Sequence, residues 1–323
     1  MIKLAIVGYG NLGKGALKAI ELANDIECVG VFTRRNPSEL QISKVKTYHI
    51  SELEKFKGKI DALVLCGGSA TDLPQTTEIY LKDFNTVDSF DTHAKIPQYY
   101  QKLDKVAKEN NKLCAISIGW DPGLFSIARM LFGAILPSGN DYTFWGKGVS
   151  QGHSDAIRRI DGVVNAIQYT VPKEEAVNLV KSGANPNLLA GDKHIRECYV
   201  AVKEGADKVR IEQEIKEMPN YFKGYQTIVN FVSEEEVKKM QQKLAHGGFV
   251  IRTGNTSEEN KDILELNIKL DSNPEFTGSV LVAYARAIAK MAKEGIVGVK
   301  TVFDIPISYL SPMSNEKLIE KLL

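Results

Sequence analysis

A glycine motif near the N-terminus has the residue types and spacing to bind phosphate. Gly8, Gly10 and Gly13 follow the pattern GxGxxG in the segment GYGNLG. The motif lies between an apolar run at 2–7, typical of a strand, and a helical pattern at 12–23. There the first glycine makes a tight turn, the second lets the main chain approach a pyrophosphate, and the third permits close helix packing. The alternative, a glycine turn that binds nothing, is disfavoured by this context.

Two arginines follow the second apolar run, about 20 residues beyond the glycine motif. The segment reads Thr33-Arg34-Arg35, whereas a fold that binds NAD places Asp or Glu there against the ribose hydroxyls. Guanidinium groups suit a 2′-phosphate because they are permanently charged and donate in a planar fork. The residues therefore predict NADP, with a pair of solvated surface arginines as the alternative.

Small and acidic residues follow three further apolar runs. Cys66-Gly67-Gly68-Ser69 leaves room for a cofactor, and Asp91 and Asp121 come after later runs. The carboxyl ends of parallel strands meet at one edge of a sheet, where ligands bind. A carboxylate there can hold a reacting ammonium group and accept its proton during hydride transfer. Asp91 and Asp121 are therefore the predicted catalytic residues, and the sequence does not decide which of them is the base.

Each of these acidic residues also has a structural interpretation. Asp121 precedes Pro122 and is equally suited to cap a helix that begins at Leu124. Asp91 could cap its own turn, and Asp72 could cap the next helix.

The elements that must position these residues alternate in the first third of the chain. Such alternation predicts βαβ units and a doubly wound parallel sheet of the Rossmann type. From Asp121 onward the strands become longer and more amphipathic, which indicates an α+β domain. A long helix is predicted at 273–295. The predicted strands are 2–7, 26–32, 62–65, 86–88, 113–116, 163–170, 198–202, 226–231 and 263–270, and the predicted early helices are 12–23, 73–81 and 96–110.

These patterns predict two domains. A dinucleotide-binding domain spans 1–120 and is completed by about 297–323. A domain for substrate binding and dimerisation spans 121–296. The length of 323 residues agrees with this division, since a single core rarely grows so large.

Composition narrows the class of partner. The chain has 41 Lys and Arg against 40 Asp and Glu, a balance that offers no basic surface to nucleic acid or anionic lipid. Glycines interrupt the first apolar run too early for a signal peptide or membrane span. The 4 Cys and 5 His show no metal-ligand spacing. We therefore expect a cytoplasmic enzyme that acts on a small molecule and needs no metal.

Over nearly its whole length the chain resembles the diaminopimelate dehydrogenase family. The resemblance is carried by GYGNLG, TRR, CGGSATD, VDSFDTH, GWDPG, FWGKGVSQGHSDAIRRI, HGG and LDSNPEF. It implies an NADP-dependent homodimer that deaminates meso-2,6-diaminopimelate at its D centre, giving L-2-amino-6-oxopimelate and ammonium. The reverse reaction would supply lysine and cell-wall precursor. A broader D-amino acid dehydrogenase and a non-catalytic NADP-binding module are the alternatives.

The resemblance also implies roles for individual residues. Local pattern alone favours an ordinary role for three of them: a surface ion pair for Arg196, a turn for His246 and a helix cap for Asn273. Trp145 is equally suited to a core or to a substrate wall. The implied substrate contacts are Asp91, Asp121, Trp145, Gln151, Gly152, Thr170, Arg196, His246 and Asn273. The implied cofactor contacts are Gly8, Tyr9, Gly10, Asn11, Leu12, Gly13, Thr33, Arg34, Arg35, Cys66, Gly67, Gly68, Ser69, Ser89, Phe90 and Asp91.

Overall fold

The structure, a computed structural model, describes residues 1–40, 42–242 and 244–323. The chain divides into two compact units, each with most of its contacts inside itself. The first joins Met1–Ile127 to Pro274–Leu323, and the second is Ala128–Asn273. Within the described part of the chain, no helix combines the length and the apolar character needed to cross a bilayer. Nor do the described residues bring together three or more His, Cys, Asp or Glu side chains in a group that could hold a metal ion.

Strands and helices alternate from the N-terminus, as predicted. Short 3-10 turns interrupt them at Pro37–Glu39, Ile50–Phe56 and His93–Lys95. The elements are β1 (Ile2–Val7), α1 (Asn11–Glu21), β2 (Ile26–Thr33), β3 (Thr47–His49), β4 (Ala62–Leu65), α2 (Leu73–Leu81), β5 (Thr86–Asp88), α3 (Ile96–Glu109), β6 (Leu113–Ala115) and α4 (Leu124–Ile135).

The rest of the second unit follows α4. Its elements are β7 (Gly139–Trp145), β8 (Gly148–Val149), α5 (Gln151–Arg158), β9 (Val163–Pro172), α6 (Glu174–Lys181), α7 (Ala190–Lys193), β10 (His194–Val202), α8 (Lys208–Glu217), β11 (Gln226–Phe231), α9 (Glu234–Gln241), β12 (His246–Asn255) and β13 (Lys261–Leu270). The chain then completes the first unit with α10 (Asn273–Lys293), β14 (Gly298–Lys300), a 3-10 turn at Ile307–Leu310 and α11 (Asn315–Leu322).

The first unit is built on a parallel sheet of seven described strands, in the order β14-β6-β5-β4-β1-β2-β3. Successive residues of a strand point to opposite faces, so both faces of β1 are buried. Leu4 and Ile6 pack with Leu17 of α1 on one face, and Ala5 packs with Leu103 of α3 on the other. Helices on both faces explain why the inner strands are continuously apolar. The fold is therefore the predicted doubly wound α/β type.

The position of α10 corrects the predicted domain boundary at 296. This helix belongs to the first unit, where Gly15 and Gly278 let α1 and α10 pack closely. A Cβ at Gly278 would lie 2.4 Å from the main-chain nitrogen of Ala16. The Arg286 guanidinium also donates to both carboxylate oxygens of Asp25, at 2.6 and 2.8 Å. These contacts join segments far apart in sequence, so the local pattern could not assign the helix to its unit.

The second unit contains two sheets. One, in the order β11-β10-β9-β8, is mixed, because β10 and β11 run parallel and the other pairs antiparallel. The other, in the order β13-β12-β7, is antiparallel. The sequence predicts the strands at β9, β10, β11 and β13, although β10 begins at His194 and not at Cys198. The sequence analysis missed β7, β8 and β12.

Candidate active site

The glycine turn after β1 is shaped by close main-chain contacts. Gly8 has a φ of +95°, and its amide donates to the Phe32 carbonyl at 2.8 Å. A Cβ at Gly8 would lie 3.1 Å from the Cys66 carbonyl oxygen, and one at Gly13 would lie 2.1 Å from that of Gly8. Gly10, in contrast, has no atom within 4 Å of its Cβ position. The open side at Gly10, beside the N-terminus of α1, fits a pyrophosphate.

Both arginines after β2 are held by specific contacts. The Arg35 guanidinium donates to the main-chain oxygen of Tyr9 at 2.6 Å, and its amide donates to the Thr33 hydroxyl at 3.1 Å. Arg34 forms an ion pair with Asp72, with 3.0 Å between Nη1 and Oδ1. Arg35 is thereby fixed at the glycine turn and Arg34 at the start of α2. Both side chains are also exposed to solvent, Arg34 by 74%, as the alternative of a solvated surface pair predicts.

A pocket opens at this end of the sheet. One part of its lining is apolar and another carries hydroxyl, guanidinium and carboxylate groups, a combination typical of small-molecule sites. The pocket lies at the carboxyl ends of β1, β2 and β4, where Rossmann folds bind the adenosine half of a dinucleotide. It is lined by Val7, Gly8, Phe32, Thr33, Arg34, Ile50, Leu65, Gly67, Asp72, Leu73, Thr76 and Tyr80.

Asp72 does not cap α2 with its side chain, although it immediately precedes the helix. Its Oδ2 accepts from the amide of Gly68 at 2.9 Å, and its Oδ1 faces Arg34. A Cβ at Gly67 would lie only 2.9 Å from the Cβ of Asp72. Asp72 occupies the predicted N-cap position, but its carboxylate supports the Gly67-Gly68 turn and makes no cap hydrogen bond.

Asp91 and Ser69 join the ends of β4 and β5. The Ser69 hydroxyl donates to Oδ1 of Asp91 at 2.5 Å, and the Asp91 amide is 2.9 Å from that hydroxyl oxygen. The turn after β5 is instead capped by Asp88, whose Oδ1 accepts from the Phe90 amide at 3.0 Å. Asp91 thus presents an exposed carboxylate at the carboxyl edge of the sheet.

Asp121 lies in the loop between β6 and α4 and is half-buried. The first two amides of α4, those of Leu124 and Phe125, donate to the carbonyls of Gly119 and Trp120 at 3.1 and 2.8 Å. These two amides therefore have acceptors without the Asp121 carboxylate. Asp121, like Asp91, follows a strand of the parallel sheet at its carboxyl end.

The guanidinium of Arg196 is unusual among the buried arginines of the described residues. Arg252 and Arg286 are paired with Asp141 and Asp25, at 2.9 and 2.6 Å. Arg196 is only 8% exposed, yet its Nε has no hydrogen-bond partner among residues 1–40, 42–242 and 244–323. Burial lowers its pKa, and no carboxylate is among the groups that oppose this shift. A buried cation without an anion is a site for an anionic ligand. The surface ion-pair interpretation is therefore wrong.

Thr170 and His246 lie close to Arg196 in the same unit. Arg196 is opposite Thr170 in the β9–β10 ladder and donates to its hydroxyl. On the other side of β9, Thr170 is opposite Gly148, whose Cβ position is 2.3 Å from the His246 ring. The His246 ring can approach only because residue 148 is glycine. Its Nδ1 lies 2.8 Å from the Gly247 amide nitrogen and 3.1 Å from the Gly247 carbonyl oxygen, so the main chain of residue 247 fixes the ring.

Three more predicted residues of the second unit, Gln151, Gly152 and Asn273, lie on segments next to these strands. Gln151 and Gly152 form the first turn of α5, two residues after β8 ends at Val149. Asn273 donates its amide to the Leu244 carbonyl at 2.9 Å, next to the start of β12. The seven predicted residues of this unit thus lie on segments adjoining β8 and the beginning of β12.

Trp145 is held by a histidine that the sequence analysis missed. The main-chain amide of Trp145 donates to Nε2 of His194 at 2.8 Å, and the two rings stack at 5.4 Å. His194 is 2% exposed, and burial lowers its pKa to about 4. The ring is therefore neutral at physiological pH, as an acceptor at Nε2 requires. Trp145 itself is half-buried, which agrees with a wall position and not with a core position.

The comparisons with known proteins agree with this arrangement. A sequence profile described as the diaminopimelic acid dehydrogenase C-terminal domain matches residues 119–272. The meso-diaminopimelate D-dehydrogenase of Ureibacillus thermosphaericus is 55% identical over 323 residues, which are 100% of this chain and 99% of that protein. The chain belongs to the diaminopimelate dehydrogenase family.

Solved structures support the family assignment. A substituted variant of the Clostridium tetani meso-diaminopimelate dehydrogenase with DAP is 50% identical, with a TM-score of 0.96 and coverage of 100% of both chains. An engineered D-amino acid dehydrogenase bound to NADP⁺ is 38% identical, with a TM-score of 0.87 and coverage of 100% of this chain and 99% of that one. The α/β fold and the dehydrogenase class expected from the sequence are thereby confirmed.

Three residues next to the predicted site residues escaped the sequence analysis. His194 supports Trp145, Tyr225 lies under the Arg196 guanidinium at 4.1 Å, and Asp88 is buried behind Asp91. One signal was present, because the alternating pattern of β10 places His194 and Arg196 on the same buried face. For Tyr225 and Asp88 the decisive contacts are with distant segments, and local sequence carries no such signal.

The depressed pKa of His194 predicts a loss of stability in acid. Between pH 6.5, the ordinary value, and about 4 the unfolded chain binds a proton on this ring that the folded chain does not. The free energy of unfolding should therefore fall by about 2–3 kcal/mol from this group as the pH drops from 7 to 4. Urea unfolding of wild type and His194→Gln measures it, since Gln keeps an acceptor and does not titrate. Equal pH dependence in the two proteins would contradict the prediction.

Proposed function

We propose that this chain catalyses the reversible, NADP-dependent oxidative deamination of meso-2,6-diaminopimelate at its D centre, giving L-2-amino-6-oxopimelate and ammonium. The observation that carries the proposal is the buried guanidinium of Arg196. Within the described part of the chain no carboxylate pairs with it, and the chain is related over its full length to meso-diaminopimelate D-dehydrogenases. Since the substrate has a second amino-acid end far from the reacting carbon, a selective enzyme needs such a cation to bind the distal carboxylate.

The cofactor is NADP⁺, which accepts the hydride when it is bound. We assign its phosphates to the main chain around Gly10 and the extra 2′-phosphate to Arg34 and Arg35, because a guanidinium donates to phosphate oxygens in a planar fork. Ser69 and the segment 89–91 would line the nicotinamide side. The open side of Gly10 and the anchoring of Arg35 at Tyr9 support this assignment.

Asp91 and Asp121 would hold the reacting ammonium group and move its proton. As the C–H bond at the D carbon breaks, its electron pair leaves as hydride, and the nitrogen loses a proton to form a C=N bond. One of these carboxylates accepts that proton. Water then adds to the C=N bond and ammonium leaves, so the new carbonyl oxygen comes from water.

The distal L centre would be bound by residues of the second unit. The Arg196 guanidinium would bind the distal carboxylate through two parallel hydrogen bonds. Thr170, His246 and Asn273 would add directional hydrogen bonds that select one handedness. Trp145 would contact the methylene chain, while Gln151 and Gly152 contribute the first turn of α5. A simple D-amino acid has no distal carboxylate for Arg196, which disfavours the broader D-amino acid dehydrogenase.

A steady-state assay of NADPH formation tests the proposed function. We expect turnover with meso-diaminopimelate, and much weaker turnover with the LL isomer, which lacks a D centre, and with D-alanine, which lacks the distal end. Equal efficiency with D-alanine would favour the broader dehydrogenase. Binding of NADP without turnover of any amino acid would favour the non-catalytic module.

Arg35→Ala should weaken NADP and spare NAD. Loss of a charge-assisted contact with the 2′-phosphate is expected to raise the KM for NADP about 10–100-fold, whereas NAD has no phosphate to lose. The two KM values measured side by side give the result, with Arg210→Ala as a control because that arginine pairs with Glu214 on the surface. A parallel loss of both cofactors would count against the assignment.

The homodimer and the cytoplasmic location belong to the same proposal and derive from the family resemblance. Light scattering after size-exclusion chromatography measures the first. A monomer at working concentration would remove that part of the proposal and leave the reaction untouched.

A further inference from the structure

Asp88 is a buried carboxylate behind the proposed catalytic edge. It ends β5, it is 0% exposed, and burial raises its pKa to about 6. The titratable groups that face it are Tyr99 from α3 and Cys114 from β6, and no cation contributes to its pKa. A buried carboxylate without a cation destabilises the fold unless it is hydrogen-bonded, so its hydrogen bonds indicate its role.

The hydrogen bonds of Asp88 join two loops. Its Oδ1 accepts from the Phe90 amide at 3.0 Å, after β5, and from the Ser117 amide at 3.2 Å, after β6. Its main-chain oxygen accepts from the Ile118 amide at 2.9 Å, and its Oδ2 accepts from the Tyr99 hydroxyl at 2.7 Å. One oxygen atom thus fixes the main chain immediately before Asp91 and a few residues before Asp121.

The second loop needs this support because Ser117 is strained. It has a φ of +58°, a left-handed conformation that residues other than glycine rarely adopt. Its side chain does not stabilise the turn, because its hydroxyl is buried and has no partner among the described residues. The Asp88 carboxylate supplies the acceptor for its amide. Without that acceptor two buried amides would be left unsatisfied, and the loops could relax.

We propose that Asp88 is a positioning residue for the reaction, which holds the loops after β5 and β6 together and so sets the relative positions of the Asp91 and Asp121 carboxylates. This inference rests on the proposed function only in that it takes those two aspartates as the groups that act. Small displacements of such groups are expensive, since about 1 Å can cost about 100-fold in rate.

Three variants test the proposal. Asp88→Ala removes the shared acceptor, and Asp88→Asn keeps an oxygen for the two amides. Tyr99→Phe removes the hydroxyl that bonds Oδ2 and the Thr77 hydroxyl, each at 2.7 Å. Tyr99→Phe is the matched control, because it disturbs the same buried network without freeing either amide. We expect kcat/KM for meso-diaminopimelate to fall about 10–100-fold in Asp88→Ala and less than about threefold in the other two. The dissociation constant of NADP should change little in all three.

Hydrogen exchange provides a readout that does not require turnover. In the NADP-bound protein, Asp88→Ala should accelerate amide exchange in both 89–92 and 116–121, whereas Tyr99→Phe accelerates neither. If Asp88→Ala does not fold, wild type and Asp88→Asn are compared, and the Phe90 and Ser117 amides should exchange slowly in both. Fast exchange of either amide in wild type, or equal losses of activity in Asp88→Ala and Tyr99→Phe, would overturn the proposal. Failure of the proposed function alone would abolish turnover in wild type and leave the exchange pattern intact.

Discussion

Replacing Asp91 by Asn is expected to lower kcat/KM for the deamination of meso-diaminopimelate by about 10²–10⁴-fold. Asn has nearly the same shape and can still accept from the Ser69 hydroxyl, which donates to Asp91 at 2.5 Å. It can neither accept the proton that the substrate nitrogen must lose nor pair with the ammonium group as an anion. The dissociation constant of NADPH should stay nearly unchanged, as measured by fluorescence titration.

The parallel variant Asp121→Asn decides which aspartate is the base. The base should lose kcat, whereas an aspartate that only holds the ammonium group should mainly raise the KM for the amino acid. Asp83→Asn is the matched control, because this carboxylate lies on the surface of the same unit and pairs with Lys57 at 3.1 Å. If Asp91→Asn and Asp121→Asn both retained kcat within about threefold, neither carboxylate would be the base.

Replacing Arg196 by Met is expected to lower kcat/KM for meso-diaminopimelate by about 10²–10³-fold, the usual cost of losing one partner of a buried charge pair. Activity with a D-amino acid that lacks the distal carboxylate should fall much less, because Arg196 has nothing to bind there. NADP affinity should not change. The ratio of the two efficiencies, measured in one preparation, is the decisive quantity.

The melting temperature of Arg196→Met should not fall together with its activity. Arg196 is buried and has no carboxylate partner among the residues that the structure describes, so Met at this position should leave the melting temperature unchanged or raise it. Arg252→Met is the contrast, because it leaves Asp141 without its partner and should lower the melting temperature. A large loss of stability in Arg196→Met would mean that this guanidinium serves the fold and not the substrate.

The first unit could be predicted from the sequence because its signals are local. The continuous apolar runs of β1 and β4 and the periodic helices between them reflect burial on both faces of a parallel sheet. The glycine motif also lies within a few residues of the strand and helix it joins. Three short strands escaped for the same reason. In this unit these are β3 and β14, whose segments TYH and GVK show neither a period nor an apolar run. The third, β8 of the second unit, has only two residues.

The site in the second unit could not be assembled from local pattern. Arg196, Thr170 and His246 are separated by many residues, and local pattern gave each of them an ordinary alternative. Family resemblance named these residues, but only the ladder from Gly148 through Thr170 to Arg196 shows why they are neighbours. The helix α10 illustrates the same limit, because its length and ends are readable from sequence while its packing against Gly15 is not.

By itself, the sequence determined the type of fold, the glycine turn expected to bind a dinucleotide phosphate, and the two arginines after the second strand that predict NADP. Each of these depends on residues close together in the chain, where spacing alone fixes geometry. Only the tertiary structure decided that Arg196 is buried with its Nε unpaired among the described residues, that His194 supports Trp145, and that Asp88 joins two loops. Burial and charge pairing depend on what distant segments place around a side chain, and no local period of the sequence records that.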